Sequence, residues 1–298
     1  MNKNKIRSIK TAAKGYAFIG INLIGVLIFW TIPLIFSFII SISKWDYSKG
    51  IKGIKLTGLS NYIEMWKDEW FRASLINNII FTISFVLILV VLSFVVAYVL
   101  NEYVVGKKLV QLGLYLPYIV NIVAISAVWL ALFSNNGPVI SFLKKVGIEN
   151  PPVFIADLHW ALPTIVLICV WQNLGYTVIL FLSGMVNIPK DLYEAAAIDG
   201  ANGLQKIRYV TIPMLSGTTF FIVITSIINS FKVFGLINLM THGGPGTSTT
   251  MLVYNIYRTA FQYGKLEFAS AQGIVLLIII FIITWIQFRI QKKNEAAG

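Results

Sequence analysis

Long, uninterrupted apolar runs alternate with shorter polar connections along nearly the whole chain. The runs fall at about Tyr16 to Ser41, Ser74 to Leu100, Leu109 to Phe133, Trp160 to Ser183, Met214 to Met240 and Ala269 to Ile290. Each is near the length of about 20 residues that an α-helix needs to cross a hydrocarbon core. A closed membrane barrel would instead show weaker segments of about ten residues with alternating polarity. The pattern predicts an all-α integral membrane protein with six transmembrane helices, no strands, and a single transmembrane domain over residues 1–298.

Composition agrees with that class. Of 298 residues 57% are hydrophobic and 12% are charged, about half the charged share of an ordinary soluble domain. The first apolar run is longer than the 7 to 15 residues of a signal-peptide core and lacks a convincing small-residue cleavage site, so it is expected to stay as a helix.

An even number of crossings puts both termini on one side. That side collects Lys3, Lys5, Arg7, Lys10 and Lys14 in the 1–15 tail, Lys107, Lys108, Lys190, Lys206 and Arg208 in its loops, and Arg289, Lys292 and Lys293 at the end. The opposite loops are longer in total and hold fewer basic residues, so the positive-inside bias places both termini and the connection at about 184–213 in the cytoplasm. The loop at about 241–268 is then extracytoplasmic. A net charge of +12 reads as topology and attraction to headgroups. Nucleic acid is not an expected partner, because no basic patch interleaved with aromatics stands on a soluble domain.

Several chemistries are excluded by what the runs omit. All 12 acidic residues fall in loops, tails or span ends, whereas proton-driven carriers bury a carboxylate in the helix bundle. No inverted repeat is visible either, which disfavours a gradient-driven carrier. Cys169 is the single cysteine and sits within an apolar run, where it packs as a small hydrophobe. His159 and His242 lie in loops without partner ligands nearby in sequence, so no metal site is expected. No nucleophile, base and orienter emerge together, which disfavours a membrane enzyme. Gly106-Lys107-Lys108 and Gly264-Lys265-Leu266 lack the glycine spacing and hydroxyl of a phosphate-binding loop, so the chain itself is not expected to bind ATP or any other cofactor.

The most structured connection is Pro189 to Pro213. Asp191 and Glu194 have capping-box spacing, Ala195 to Ala197 favour helix, and Gly200 offers a left-handed stop. Asn202 with Gln205 repeats the capping pattern, which predicts a second short helix. Taken alone, such a segment also fits an interfacial helix lying among headgroups.

Glu194-Ala195-Ala196, three residues, Gly200, nine residues, then Val210, Thr211, Ile212 and Pro213 resemble the EAA loop of ABC importer permeases, with Val210 and Ile212 as conservative departures. The extended form is similar to that of the maltose-type carbohydrate uptake group. Further matches are Gly58-Leu59-Ser60-Asn61-Tyr62, Trp129 with Gly137-Pro138, and Thr241-His242-Gly243-Gly244-Pro245.

The resemblance implies a type I importer fold in a bacterial or archaeal cytoplasmic membrane. It also implies a second, related but non-identical permease subunit, two cytoplasmic ATPase subunits that use ATP and Mg, and an extracytoplasmic solute-binding protein that delivers sugar. Glu194, Ala195, Ala196, Asp199 and Gly200 would then couple to an ATPase, and Gly243, Gly244 and Pro245 would dock the binding protein. Tyr254, Tyr257 and Phe261, at helical spacing after that turn, fit either binding-protein contact or an aromatic belt at the interface.

Polar and aromatic interruptions mark a candidate solute path: Trp171, Asn173, Leu174, Gly175 and Tyr176 in the fourth run, and Asn229, Ser230 and Lys232 in the fifth. Amides and aromatic faces suit sugar hydroxyls and pyranose faces. The alternative for each polar residue is a hydrogen bond between packed helices. A mid-span ammonium at Lys232 costs roughly 2.5 to 3.5 kcal/mol unless paired or wetted, so it would face an aqueous cavity, a partner's acid, or an anionic solute such as glycerol 3-phosphate.

Overall fold

A computed structural model of the chain describes Tyr16 and residues 19–295. The basic tail at 1–15 lies outside the described residues, so its placement in the cytoplasm has no structural counterpart here.

The chain divides into two compact units, the residues before Asp68 with Ile256–Leu276, and Asp68–Asn255 with Leu277 onward. In the first unit, helix α1 (Ile19–Ser41) leads into strands β1 (Ser43–Trp45) and β2 (Ile54–Leu56). They pair antiparallel with Lys44 opposite Lys55. This hairpin corrects the expectation of a purely α chain. Its turn is held by Asp46, whose carboxylate accepts from the Ser48 amide, and by Gly50 at φ 55, which no other residue adopts as freely. The short polar run Asp46-Tyr47-Ser48-Lys49-Gly50 carries that turn signal in the sequence. Helix α2 (Ser60–Lys67) is tied back by the Asn61 amide, which donates to the Ser41 and Ser43 carbonyls at 2.9 and 2.8 Å. The Tyr47 hydroxyl donates to Glu267 at 2.6 Å and accepts from the Leu266 amide at 2.9 Å. Burial, then Glu267, pushes the Tyr47 phenol up to about 12, so it stays protonated and keeps donating.

The second unit is built on α3 (Glu69–Tyr103), α4 (Lys107–Ile119), α5 (Ile122–Leu132), α6 (Pro138–Lys145) and α7 (Ala161–Val186). The short α8 (Lys190–Ile198) follows, then α9 (Gly203–Met214), α10 (Ser216–Phe231) and α11 (Leu252–Tyr257). Helix α12 (Leu266–Glu295) begins in the first unit and closes the chain.

Among the described residues, α1, α3, α7 and α12 are long and apolar enough to cross a membrane. The other two apolar runs are not single straight helices. The run at Leu109 to Phe133 breaks between α4 and α5 with a bend of 97°, and the fifth meets α9 with a bend of 66° at its start and loses its helix at Phe231, where α10 stops. The structure therefore supports four crossings, or up to six if each bent pair is one span. The first break has a local cause: α4 ends two residues after Pro117, Val120 is extended, and the Asn121 carboxamide caps α5 by accepting from the Val123 amide at 2.8 Å. Hydropathy averaged over a window hides such a cap, because one Asn does not lower the mean enough.

Two apolar clusters hold this unit together. One gathers Phe81, Phe85 and Leu89 of α3 with Ile165 and Ile168 of α7 and Ile237. The other joins Ala97 and Leu100 of α3 to Val178, Phe181 and Met185 of α7 and to Leu215 and Ile222. Two glycines let the helices approach closely. A side chain at Gly175 would collide with the Leu114 backbone of α4, and one at Gly184 would meet Leu215 and Thr218. Small residues at crossings serve this purpose in membranes, where packing rather than water exclusion joins helices.

Candidate coupling loop and translocation path

The connection from Pro189 to Pro213 folds as two short helices around a tight turn. Helix α8 starts from Pro189, whose φ of −58° suits a helix start, and no side-chain cap forms. The capping box expected from Asp191 and Glu194 is absent. Asp191 instead lies in the first turn, where a carboxylate meets the positive end of the helix. The helix ends at Gly200, which adopts φ 77 as expected of a left-handed stop. Asn202 then caps α9 with both bonds of a capping box: its carboxamide accepts from the Gln205 amide at 2.9 Å, and the Gln205 side chain accepts from the Asn202 amide at 2.7 Å.

This pair of helices is anchored on one side and bare on the other. The Tyr193 and Thr211 hydroxyls meet at 2.9 Å and clasp α8 to α9. Tyr193 and Val210 pack against the cluster of α3 and α7 that holds Leu100 and Phe181. Glu194, Ala195, Asp199 and Gly200 are exposed and Ala196 is half-buried. In the same connection Ile198, Leu204 and Tyr209 are 87%, 75% and 70% exposed. Among the described residues no ion pair engages Glu194 or Asp199.

The path residues separate into groups. Asn173 and Tyr176 of α7 meet Asn229, Thr225 and Ser226 of α10 around an enclosed cavity of about 20 Å³. That is room for about one water molecule. The Tyr176 ring stacks on Tyr118 at 4.7 Å, and the Asn173 amide donates to the Cys169 carbonyl at 2.8 Å. A cavity of this size has no room for a sugar.

Other residues of the expected path stand elsewhere. Trp171 and Leu174 line an apolar groove of about 620 Å³ with Ile80, Ile88 and Leu167, on a different face of α7. Gly175 is buried at the crossing with α4 and does not line the cavity. Ser230 is buried, sharing a hydrogen bond of 2.7 Å with Thr82 and donating to the Ile227 carbonyl. Its hydroxyl therefore bridges helices. Lys232 is not within a helix: α10 stops at Phe231, and the Lys232 amide closes it on the Asn229 carbonyl at 3.0 Å. Its exposed side chain stands at the carbonyl end of α10, where a cation is favoured. Sequence reasoning missed Tyr118, Thr225 and Ser226. The 225, 226 and 229 spacing on one helical face was the available signal.

The Gly243-Gly244-Pro245 turn is folded inward. Gly243 is buried at φ 81, and a side chain there would strike the Tyr254 ring at 2.7 Å. The Tyr254 hydroxyl donates to the His242 carbonyl, and Thr249 donates to the Gly244 carbonyl, both at 2.8 Å. Asn77 and Asn78 of α3 hold this loop from below. Asn77 donates to the Thr247 carbonyl at 2.7 Å, and Asn78 accepts from the Leu252 amide at 2.8 Å. His242 and Gly246 are the exposed members of the turn.

The chain resembles known proteins over nearly its full length. It is 33% identical over 290 residues to the probable ABC transporter permease protein YesP of Bacillus subtilis (strain 168), covering 96% of this chain and 93% of that one. It is 32% identical over 242 residues to the sn-glycerol-3-phosphate transport system permease protein UgpA of Yersinia pestis, covering 80% and 81%. The lactose transport system permease protein LacF of Rhizobium radiobacter is 28% identical over 290 residues, with 94% and 95% covered. The fold matches a chain in the crystal structure of a bacterial ABC transporter involved in the import of the acidic polysaccharide alginate. The TM-score is 0.85 and the identity 23%, with 98% of this chain and 99% of that chain covered. A family model described as the binding-protein-dependent transport system inner membrane component matches residues 90–295, and the chain belongs to that family as a permease subunit of an ABC importer.

Proposed function

We propose that this subunit carries a sugar or oligosaccharide inward across the cytoplasmic membrane of a bacterium or archaeon. It would do so in six crossings with both termini inside, α4 and α5 together forming the third span and α10 the core of the fifth, with α9 left in the cytoplasm. Its partners are a second, related but non-identical permease, two cytoplasmic ATPases that hold ATP and Mg, and an extracytoplasmic solute-binding protein. The observation that carries this reading is the Pro189 to Pro213 hairpin, exposed around Glu194 yet anchored through Tyr193 and Val210 to α3 and α7. An ATPase cleft gripping the exposed side would move the anchored side as one body. Type I switching of this kind works by rigid-body motion between two packed arrangements.

Movement at α8 and α9 reaches α10 directly through the short link at Leu215. Helix α10 carries Thr225, Ser226 and Asn229 on the cavity wall. Displacing it from α7 opens the space between Asn229 and Tyr176, where amides, hydroxyls and an aromatic face are set out for a sugar. The lactose permease among its relatives favours a neutral carbohydrate. The relative named for sn-glycerol 3-phosphate, together with an exposed Lys232, supports an anionic solute as the second reading. In reconstituted vesicles the solute that stimulates ATP hydrolysis by the assembled complex identifies the class.

Lys232→Gln separates the two readings. For a neutral oligosaccharide, uptake should stay within about twofold of wild type, the range of a surface substitution, because Lys232 is not among the cavity-lining residues. A loss of tenfold or more, confined to sn-glycerol 3-phosphate uptake, would transfer the assignment to anions.

A further inference from the structure

A second concavity, of about 330 Å³, lies between the ends of α3, α4 and α7. Asn101, Lys107, Gln111 and Asn187 stand on its wall beside Ile179 and Val186. None of the groups lining it is a carboxylate. Glu102, which accepts from the Asn101 amide at 3.0 Å, does not line it. The polarity is graded. Helix α4 begins at Lys107 and α7 ends at Val186, so the cation and the Asn187 amide mark the rim. Ile179, about two turns back along α7, lies roughly 10 Å deeper. Gln111 follows Lys107 by one turn of α4 and shares its face.

We propose that this groove seats the headgroup of an anionic phospholipid of the inner leaflet, with the phosphate on Lys107 and the amides and an acyl chain against Leu182 and Ile179. The assignment rests on the cytoplasmic placement of the α3–α4 connection proposed above. A small soluble anion would satisfy the cation and amides but would leave the apolar depth of the groove unused. A phospholipid matches both ends in the order in which the membrane presents them, and basic pockets between membrane helices on the cytoplasmic side suit such headgroups. The lipid would then hold α4 against α7 one turn from the hairpin that starts at Pro189, where it bears on the moving part of the transporter.

The test uses the assembled transporter, extracted from vesicles of equal phosphatidylglycerol and phosphatidylethanolamine and examined by native mass spectrometry. Wild type should retain phosphatidylglycerol in preference. Lys107→Gln should lower that preference about fivefold, the loss of one surface cation. Lys107→Arg should restore it, and Lys108→Gln, outside the groove, should leave it unchanged. Equal retention by wild type and Lys107→Gln overturns the proposal. So does displacement of the bound lipid by inorganic phosphate, which would mark a soluble-anion site. The parent placement is read separately with Lys108→Cys and a membrane-impermeant maleimide, since the native Cys169 is buried. Labelling from the outer face overturns the cytoplasmic placement and with it the inner-leaflet assignment, whatever the mass spectra show.

Discussion

Glu194→Lys is expected to leave the chain inserted and assembled with its partners while lowering solute uptake per ATP hydrolysed by about thirtyfold or more. The side chain is exposed and no ion pair among the described residues engages it, so its replacement is expected to leave the fold intact. Ile198, four residues on along α8 and so on the same face, is largely exposed, as is Leu204, and an ATPase closing over this surface would desolvate any contact the carboxylate makes. Removing one partner of a desolvated, hydrogen-bonded charge pair costs roughly 2 to 5 kcal/mol, and a reversed charge adds repulsion. Gly200→Val should reach a similar loss by another route. Nothing lies within 4 Å of a side chain placed there, so sterics with neighbours are not the obstacle. The φ of 77 is the obstacle, because a β-branched residue in the left-handed region is strained and would unwind the turn between α8 and α9. Reconstituted vesicles loaded with ATP would report both effects, and wild-type coupling in either variant would remove the hairpin from the mechanism.

The hairpin was legible because its signals are local. Gly200 and the Asn202–Gln205 pair each act over three or four residues, and both took the predicted geometry. The nearby Asp191–Glu194 box failed because Pro189 starts the helix first. The long apolar runs were legible as membrane-spanning material but not as shapes. Whether Leu109 to Phe133 is one helix or two depends on Pro117 and on a single cap at Asn121, which a hydropathy window averages away. The path was legible in part. Asn173, Tyr176 and Asn229 do come together, since amides and aromatics within apolar runs must find partners. Which faces they share is decided by the crossings of α7 with α4 and α10. Those crossings depend on Gly175 and Gly184, and the chain's pattern gives no distance between them and their neighbours.

Gly175→Ala is expected to be the most destabilising single-methyl change in the membrane region of this chain. The added carbon would lie inside the contact radius of the Leu114 carbonyl oxygen and beside the Tyr115 amide. These are backbone atoms of α4, which cannot rotate away as a side chain can. The two helices must separate along the whole crossing. That would unstack Tyr118 from Tyr176 and widen the small cavity beside Asn173. Overpacking of this kind costs about 3 kcal/mol, the upper part of its usual range. Gly184→Ala is the internal comparison. Its added carbon meets the Leu215 Cδ2 at 2.7 Å and the Thr218 Oγ1 at 2.8 Å, both side-chain atoms that a rotamer change relieves, so a cost of about 1 kcal/mol is expected. Thermal unfolding of the detergent-purified complex, followed by size-exclusion chromatography, ranks the two. The Gly175 variant should lose its monodisperse peak at a clearly lower temperature than the Gly184 variant. If the two unfold together, the α4–α7 crossing at Gly175 is no tighter in effect than the contact at Gly184.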